Sequence, residues 1–172
     1  MSSLAFPFYR NPLMIVEGKM QYLFDHTGKR YLDLAGGICT MACGHSHPRI
    51  NAKVQEQLEV LTHTTTVYMH DQQSLYAEEL CEKLPEGIDS VMFTSSGSEA
   101  NYLAGMLARG MTGNWPIVTL KNAYHGHCAA QHLSNLNNWN FHFPKLGGVE
   151  TAPFPDMFRG AYKAEEATKH YA

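Results

Sequence analysis

The chain is poor in cysteine, with four in 172 residues (Cys39, Cys43, Cys81 and Cys128). That number is too sparse for a disulfide scaffold, and free thiols fit a reducing compartment. A basic excess is also lacking: thirteen Lys and Arg stand against sixteen Asp and Glu, for a formal charge of -3. This argues against a dedicated nucleic-acid binder. No run approaches the ~18 apolar residues of a membrane-spanning helix. The opening Met1-Ser2-Ser3-Leu4-Ala5-Phe6-Pro7 has neither a basic signal-peptide start nor the Arg-rich amphipathic character of a transit peptide, so the residues alone point to the cytoplasm. Charge is modest at 17% while hydrophobic residues reach 44%, which supplies enough apolar surface for a packed core.

What is present falls into two patterns. In the first third, Gln21–Asp25 and Arg30–Leu34 read as strands around the turn His26-Thr27-Gly28-Lys29. Gly36-Gly37-Ile38 then invites close backbone approach. Pro48 suits the first position of a helix, and Ile50, Val54, Leu58 and Leu61 recur at helical spacing, predicting one buried face. A second helix is expected from Ser74 to Leu84, stopped by Pro85-Glu86-Gly87.

From Ser90 the pattern becomes strand, loop, helix, strand. Ser90–Thr94 is a β run, Ser95–Ser98 a polar loop, and Glu99–Arg109 a helix closed by Gly110; Pro116–Lys121 is the next strand. Leu103, Met106 and Met111 are expected in the sheet-facing core. This alternation predicts a parallel α/β sheet. Asn135–Asn140 is Asn-rich, Pro153, Pro155 and Gly160 read as irregular surface chain, and 164–172 as a short helix.

The sharpest chemical feature is the strand–Ser95-Ser96-Gly97-Ser98–helix unit. Gly97 permits close approach, the helix start exposes unpaired amides, and Ser96 and Ser98 add hydroxyls, which together suit a phosphate dianion. An ordinary helix N-cap explains the same residues equally well. Tyr124-His125-Gly126-His127 follows the C-terminal end of the next strand, the edge where open parallel sheets bind ligands. A phosphate cradle beside a flat aromatic ring suits a flat phosphorylated heterocycle. A second cluster, Cys39, Cys43, His45 and His47, raises a zinc reading, but no second knuckle accompanies it. The expected metal set is therefore none.

Ser96-Gly97-Ser98-Glu99-Ala100-Asn101 followed by Ala123-Tyr124-His125-Gly126 resembles the class III aminotransferases that use pyridoxal 5'-phosphate (PLP). Tyr31–Ile38, Gly44-His45-Ser46-His47-Pro48 and Pro155–Gly160 resemble the same family in the same order. Gly36–Thr40 and His63–Tyr68 are similar to its alanine–glyoxylate branch, whereas ornithine enzymes tend to carry Tyr where Ile38 stands.

The resemblance implies a partial fold-type I PLP-transferase large domain, α/β with an incomplete parallel or mixed sheet, behind an N-terminal strand/helix segment. Residues 1–47 would belong to the small domain and substrate-side strands, and 48–172 to the large domain. It implies that Ser96, Gly97 and Ser98 hold the cofactor phosphate, with Tyr124 stacking on the ring and His125 and Gly126 shaping its pocket. Gly37, Ile38 and Tyr9 (or Phe8) would border the substrate.

The implied partners are an amino acid, a keto acid and a second copy of the enzyme, and the implied compartment is the mitochondrion. The family's Schiff-base Lys matches none of the eight lysines, so no catalytic residue is assigned. The chain is expected to be an N-terminal fragment or truncated form that does not transaminate alone. A noncatalytic chain that binds the cofactor weakly or pairs with a full-length subunit is one alternative; an ornithine- or GABA-type aminotransferase or a related PLP lyase is another. The resemblance also implies that the strand before the phosphate loop and the strand ending at Lys121 are not neighbours, which leaves open edges.

Overall fold

A computed structural model describes residues 9–127, 133–134 and 147–171. Phe8, Cys128 and the Asn-rich stretch 135–140 lie outside the described residues. The chain divides into two compact units, residues 1–74 and 75–172.

The first unit is built on an antiparallel sheet in the order β1 (Ile15–Lys19), β2 (Tyr22–Asp25), β3 (Arg30–Leu32). The expected hairpin is present with slightly shorter strands, and β1 is an addition that the turn pattern did not announce. Asp25 fixes the hairpin turn. Its carboxylate accepts the Thr27 amide at 2.9 Å, the Thr27 hydroxyl at 2.6 Å, the Lys29 amide at 3.1 Å and the Tyr31 hydroxyl at 2.7 Å. Gly28 supplies the left-handed residue that the turn requires, with φ +83°.

A single turn, α1 (Gly36–Cys39), follows the sheet, and then α2 (Pro48–Val60) opens on Pro48 as expected. Its apolar positions Ile50, Val54 and Leu58, with Leu61 just past its end, are nevertheless exposed, against the expectation of a buried face. The periodicity of the helix is as predicted, but no described element covers that stripe.

α3 (Asp71–Cys81) begins and ends three residues earlier than the spacing predicted. Asp71 sits in its first turn, where a negative charge favours the helix dipole. In the second unit, Tyr76 stacks on Phe93 with ring centroids 5.2 Å apart. Ser90–Thr94 is not a strand: the run has the right composition, but no described strand pairs with it. A β run without a ladder partner has nowhere to place its amides.

α4 (Gly97–Thr112) is framed at both ends. The Ser96 hydroxyl accepts the Glu99 amide at 3.2 Å, while the Glu99 carboxylate accepts the Ser95 amide at 2.7 Å, a reciprocal cap. The helix runs past Gly110 and ends at Gly113, whose φ of +69° lets its amide close on the Arg109 carbonyl at 2.9 Å. Met106 and Met111 are exposed rather than core.

β4 (Ile117–Leu120) pairs in parallel with β5 (Val149–Ala152), confirming a parallel sheet at this point; α5 (Ala164–Tyr171) completes the unit. Two contacts bring α4 to this sheet. A Cβ on Gly105 would stand 3.3 Å from Ile117 Cδ1, so the missing side chain permits a close approach. Arg109 lies 4.0 Å over the Trp115 ring and donates to the Trp115 carbonyl at 2.8 Å, while the Trp115 indole N–H reaches the Gly147 carbonyl at 3.2 Å. Among the described residues, buried apolar side chains are confined to Leu133 and Ala167, and no helix is long and apolar enough to cross a membrane.

Two measurements check these local arguments. Gly113→Ala places a Cβ in the left-handed region and is expected to destabilise the chain by about 1 kcal/mol. Gly110→Ala, in a helix interior with open space beside it, is expected to stabilise by up to about 1 kcal/mol. Urea denaturation followed by circular dichroism should order the two variants on opposite sides of the parent.

The second concerns acid. Hydrogen bonds from Thr27 and Tyr31, then from the backbone, hold the Asp25 carboxyl well below the usual carboxylate range. Its contribution is therefore fully present above about pH 4 and is lost as pH falls through the lowered value. The Thr27 and Lys29 amides should stay protected from exchange at pH 4 and open only in stronger acid. The same bond raises the Tyr31 phenol above its ordinary range, and Asp25→Asn should bring its absorbance titration back down.

Candidate functional site

The candidate cofactor site lies in the second unit, where the start of α4 meets the loop after β4. Gly126 is buried and adopts φ +116°. A Cβ there would fall 2.8 Å from Ser98 Cα, which is closer than side chains pack, so only glycine allows this approach. Two hydrogen bonds hold the two segments in register, and a third ties the loop to Ser134. The His127 amide donates to Ser98 Oγ at 3.0 Å, Asn101 Nδ2 donates to the His125 carbonyl at 2.9 Å, and the His125 amide donates to Ser134 Oγ at 2.8 Å. The buried Ser134 hydroxyl then donates to the Gly126 carbonyl at 3.1 Å.

This arrangement leaves specific donors free. Ser95 and Glu99 amides are consumed by the reciprocal cap, and the Ala100 amide begins the helix ladder on the Ser96 carbonyl at 3.0 Å. The Gly97 and Ser98 amides carry no hydrogen bond from described residues, and a Cβ on Gly97 would meet nothing within 4 Å. Ser98 Oγ uses a lone pair on His127, which leaves its hydroxyl hydrogen to donate elsewhere. Two adjacent amides and a hydroxyl at a helix start, facing open space, fit a phosphate group. The Glu99 carboxylate already sits at this helix end, on the Ser95 amide rather than on these donors.

Tyr124 is half-exposed, and its hydroxyl meets His127 Nδ1 at 2.9 Å with the two rings edge to face. That contact steadies the ring from its edge. Ser96, Gly97, Ser98, Tyr124, His125 and Gly126 are thus gathered in one region, and Ser96 serves as helix cap. Asn101 and Ser134 were not foreseen as part of it. Asn101 falls one helical turn after Gly97, a signal available in hindsight; Ser134 carries no local signal at all. Lys121 lines a separate cavity of about 600 Å³ at the C-terminal ends of β4 and β5, with Asn122, Asp156 and Arg159.

The expected substrate-side residues belong to the first unit. Gly37 and Ile38 lie in α1, whose backbone is left-handed, with φ +60° at both. Ile38 and Tyr9 are exposed. His45 and His47 lie nearby in sequence, but His45 Nε2 donates to the Asp33 carboxylate at 2.7 Å, so that nitrogen is committed to Asp33.

A family model described as "Aminotransferase class-III" matches residues 7–171. The chain belongs to the class III aminotransferases. Among curated relatives of this family, alanine–glyoxylate aminotransferase 2 homolog 2, mitochondrial, of Arabidopsis thaliana is 42% identical over 96% of this chain and 35% of its own length. Human alanine–glyoxylate aminotransferase 2, mitochondrial, is 39% identical over 94% of this chain and 32% of its own. The chain therefore spans about a third of the length of these curated relatives.

Among solved structures, a PLP-bound amine transaminase from an uncultivated Pseudomonas species superposes with a TM-score of 0.84 at 28% identity, covering 99% of this chain and 41% of that one. The fold is accordingly a partial fold-type I transferase, with an antiparallel and a parallel sheet in place of the complete one.

The close approach at Gly126 yields a direct test. Gly126→Ala should separate the loop from α4, expose the His127 amide to rapid exchange and destabilise the second unit by about 1–3 kcal/mol. Hydrogen exchange read at His127 and a urea midpoint check both parts.

Proposed function

We propose that the chain is the N-terminal part of a PLP-dependent aminotransferase that moves an amino group between an amino acid such as alanine and a keto acid such as glyoxylate. The observation that carries this reading is the pair of Gly97 and Ser98 amides, without a hydrogen bond among the described residues, beside Gly126 and the half-exposed Tyr124 ring. The family match and the names of the curated relatives support the reaction class.

In this reading the Gly97 and Ser98 amides and the Ser98 hydroxyl donate to the cofactor phosphate. The α4 dipole adds about 0.3–1 kcal/mol to that contact, more where water is excluded. Tyr124 lays its ring face against the cofactor ring, held at its edge by His127, while His125 and Gly126 set the loop through their backbone. When bound, PLP supplies the electron sink that lets a proton leave the substrate α-carbon. Gly37, Ile38 and Tyr9 border the substrate. Residues 1–47 serve the small domain and 48–172 the large one.

A mitochondrial location is supported by the relatives' names. Assembly as a homodimer is supported by the exposed apolar stripe of α2. None of the eight lysines lies in a motif that suits imine chemistry, so residues 1–172 alone are expected not to turn over alanine and glyoxylate.

Titration of the labelled chain with PLP and, separately, with pyridoxal tests the phosphate assignment. PLP should bind more tightly and shift the Gly97 and Ser98 amide resonances. Ser98→Ala should lower PLP affinity by about tenfold or more and leave pyridoxal affinity unchanged. Equal affinity for the two compounds would remove the reading.

A further inference from the structure

We propose that Asp33 and His45 are positioning residues that hold the Gly36–Cys39 turn in its left-handed form and thereby present Ile38 to the substrate. The substrate half of this statement rests on the function proposed above; the positioning half does not.

The starting point is an outlier. Gly36, Gly37, Ile38 and Cys39 all have positive φ, at +52°, +60°, +60° and +64°. Two glycines adopt such angles without steric cost, but Ile38 is β-branched and is strained there. Packing does not offset the strain, because the Ile38 side chain is 85% exposed. An exposed, strained aliphatic residue persists only where its surroundings over-determine it.

Those surroundings are specific. Asp33 Oδ1 accepts the Ala35 amide at 3.1 Å and the Gly36 amide at 2.9 Å, fixing the entry to the turn. Asp33 Oδ2 accepts His45 Nε2 at 2.7 Å. His45 is itself anchored to the end of β1: its amide and carbonyl exchange hydrogen bonds with Met20 at 2.8 and 2.7 Å. Its imidazole lies over Gly18, where a Cβ would stand 2.8 Å from His45 Cβ. Within the turn, the Met41 amide closes on the Gly36 carbonyl at 2.8 Å and the Thr40 hydroxyl on the Gly37 carbonyl at 2.7 Å.

A line of contacts thus runs from the sheet through His45 and Asp33 to the turn. An aspartate that merely capped a loop would need Oδ1 alone. The second oxygen, directed at an anchored imidazole, orients the carboxylate and makes the turn a fixed extension of the sheet.

Hydrogen exchange and carbon-13 shifts on the labelled 172-residue chain test the positioning. His45→Phe keeps a ring over Gly18 and removes the nitrogen that reaches Asp33. The Gly36 and Met41 amides should then exchange at least about tenfold faster. The Ile38 Cα and Cβ shifts and its amide–Hα coupling should leave the left-handed region, while the Thr27 amide keeps its protection. Adding Ile38→Gly to that variant should restore Met41 protection, since glycine holds positive φ unaided.

An unchanged Ile38 in His45→Phe overturns the proposal. So does simultaneous loss of Thr27 protection, which would mean that His45 supports the sheet rather than the turn. Finally, L-alanine added with PLP should shift the Ile38 resonances of the parent chain. Absence of that shift overturns the substrate half while the response to His45→Phe still decides the positioning half.

Discussion

The approach of Gly126 to Ser98 is the contact on which the candidate cofactor site depends. No side chain intervenes, so the loop after β4 rests its backbone directly against the first turn of α4. That proximity lets the His127 amide reach Ser98 Oγ and lets Asn101 reach the His125 carbonyl. Without it, the start of α4 would be a capped helix end and Tyr124 a loop aromatic with no common purpose. With it, two amides that no described residue occupies, one hydroxyl and one aromatic ring share a single region.

The helix cap and the phosphate cradle are not rival descriptions of Ser95–Glu99. Ser96 and Glu99 satisfy the amides of Glu99 and Ser95 reciprocally, and among the described residues that cap leaves the intervening Gly97 and Ser98 amides without a hydrogen bond. The cap makes the helix begin at a defined residue, which is what aims the remaining donors. The same five residues therefore form the observed cap and, in the proposed reading, the phosphate cradle, at different atoms.

The first unit uses two hydrogen-bonded carboxylates in a similar way. Asp25 gathers four donors to lock the hairpin, and Asp33 gathers three to join the sheet to the left-handed turn. In both, an ionised acceptor organises backbone that has little apolar packing of its own. Such packing is scarce throughout the described residues: α2 exposes its whole apolar stripe, and α3 and α4 bury no residue.

Local sequence determined the elements whose signals are local. The turn at Gly28, the start of α2 at Pro48, the cap at Ser96 and the strand Ile117–Leu120 were all legible, because caps, turn residues and short periodicities act within a few positions. The end of α4 was misread by three residues, since two glycines were available and only Gly113 takes the left-handed angle. Tertiary structure alone decided what pairs with what. Ser90–Thr94 has strand composition but no described partner, the Ile50–Leu61 stripe has helical period but no cover, and Ser134 reaches the site from outside any motif. A residue's own chemistry sets its conformational preference, whereas a ladder, a buried face or a long-range hydrogen bond requires a second segment whose arrival no local pattern encodes.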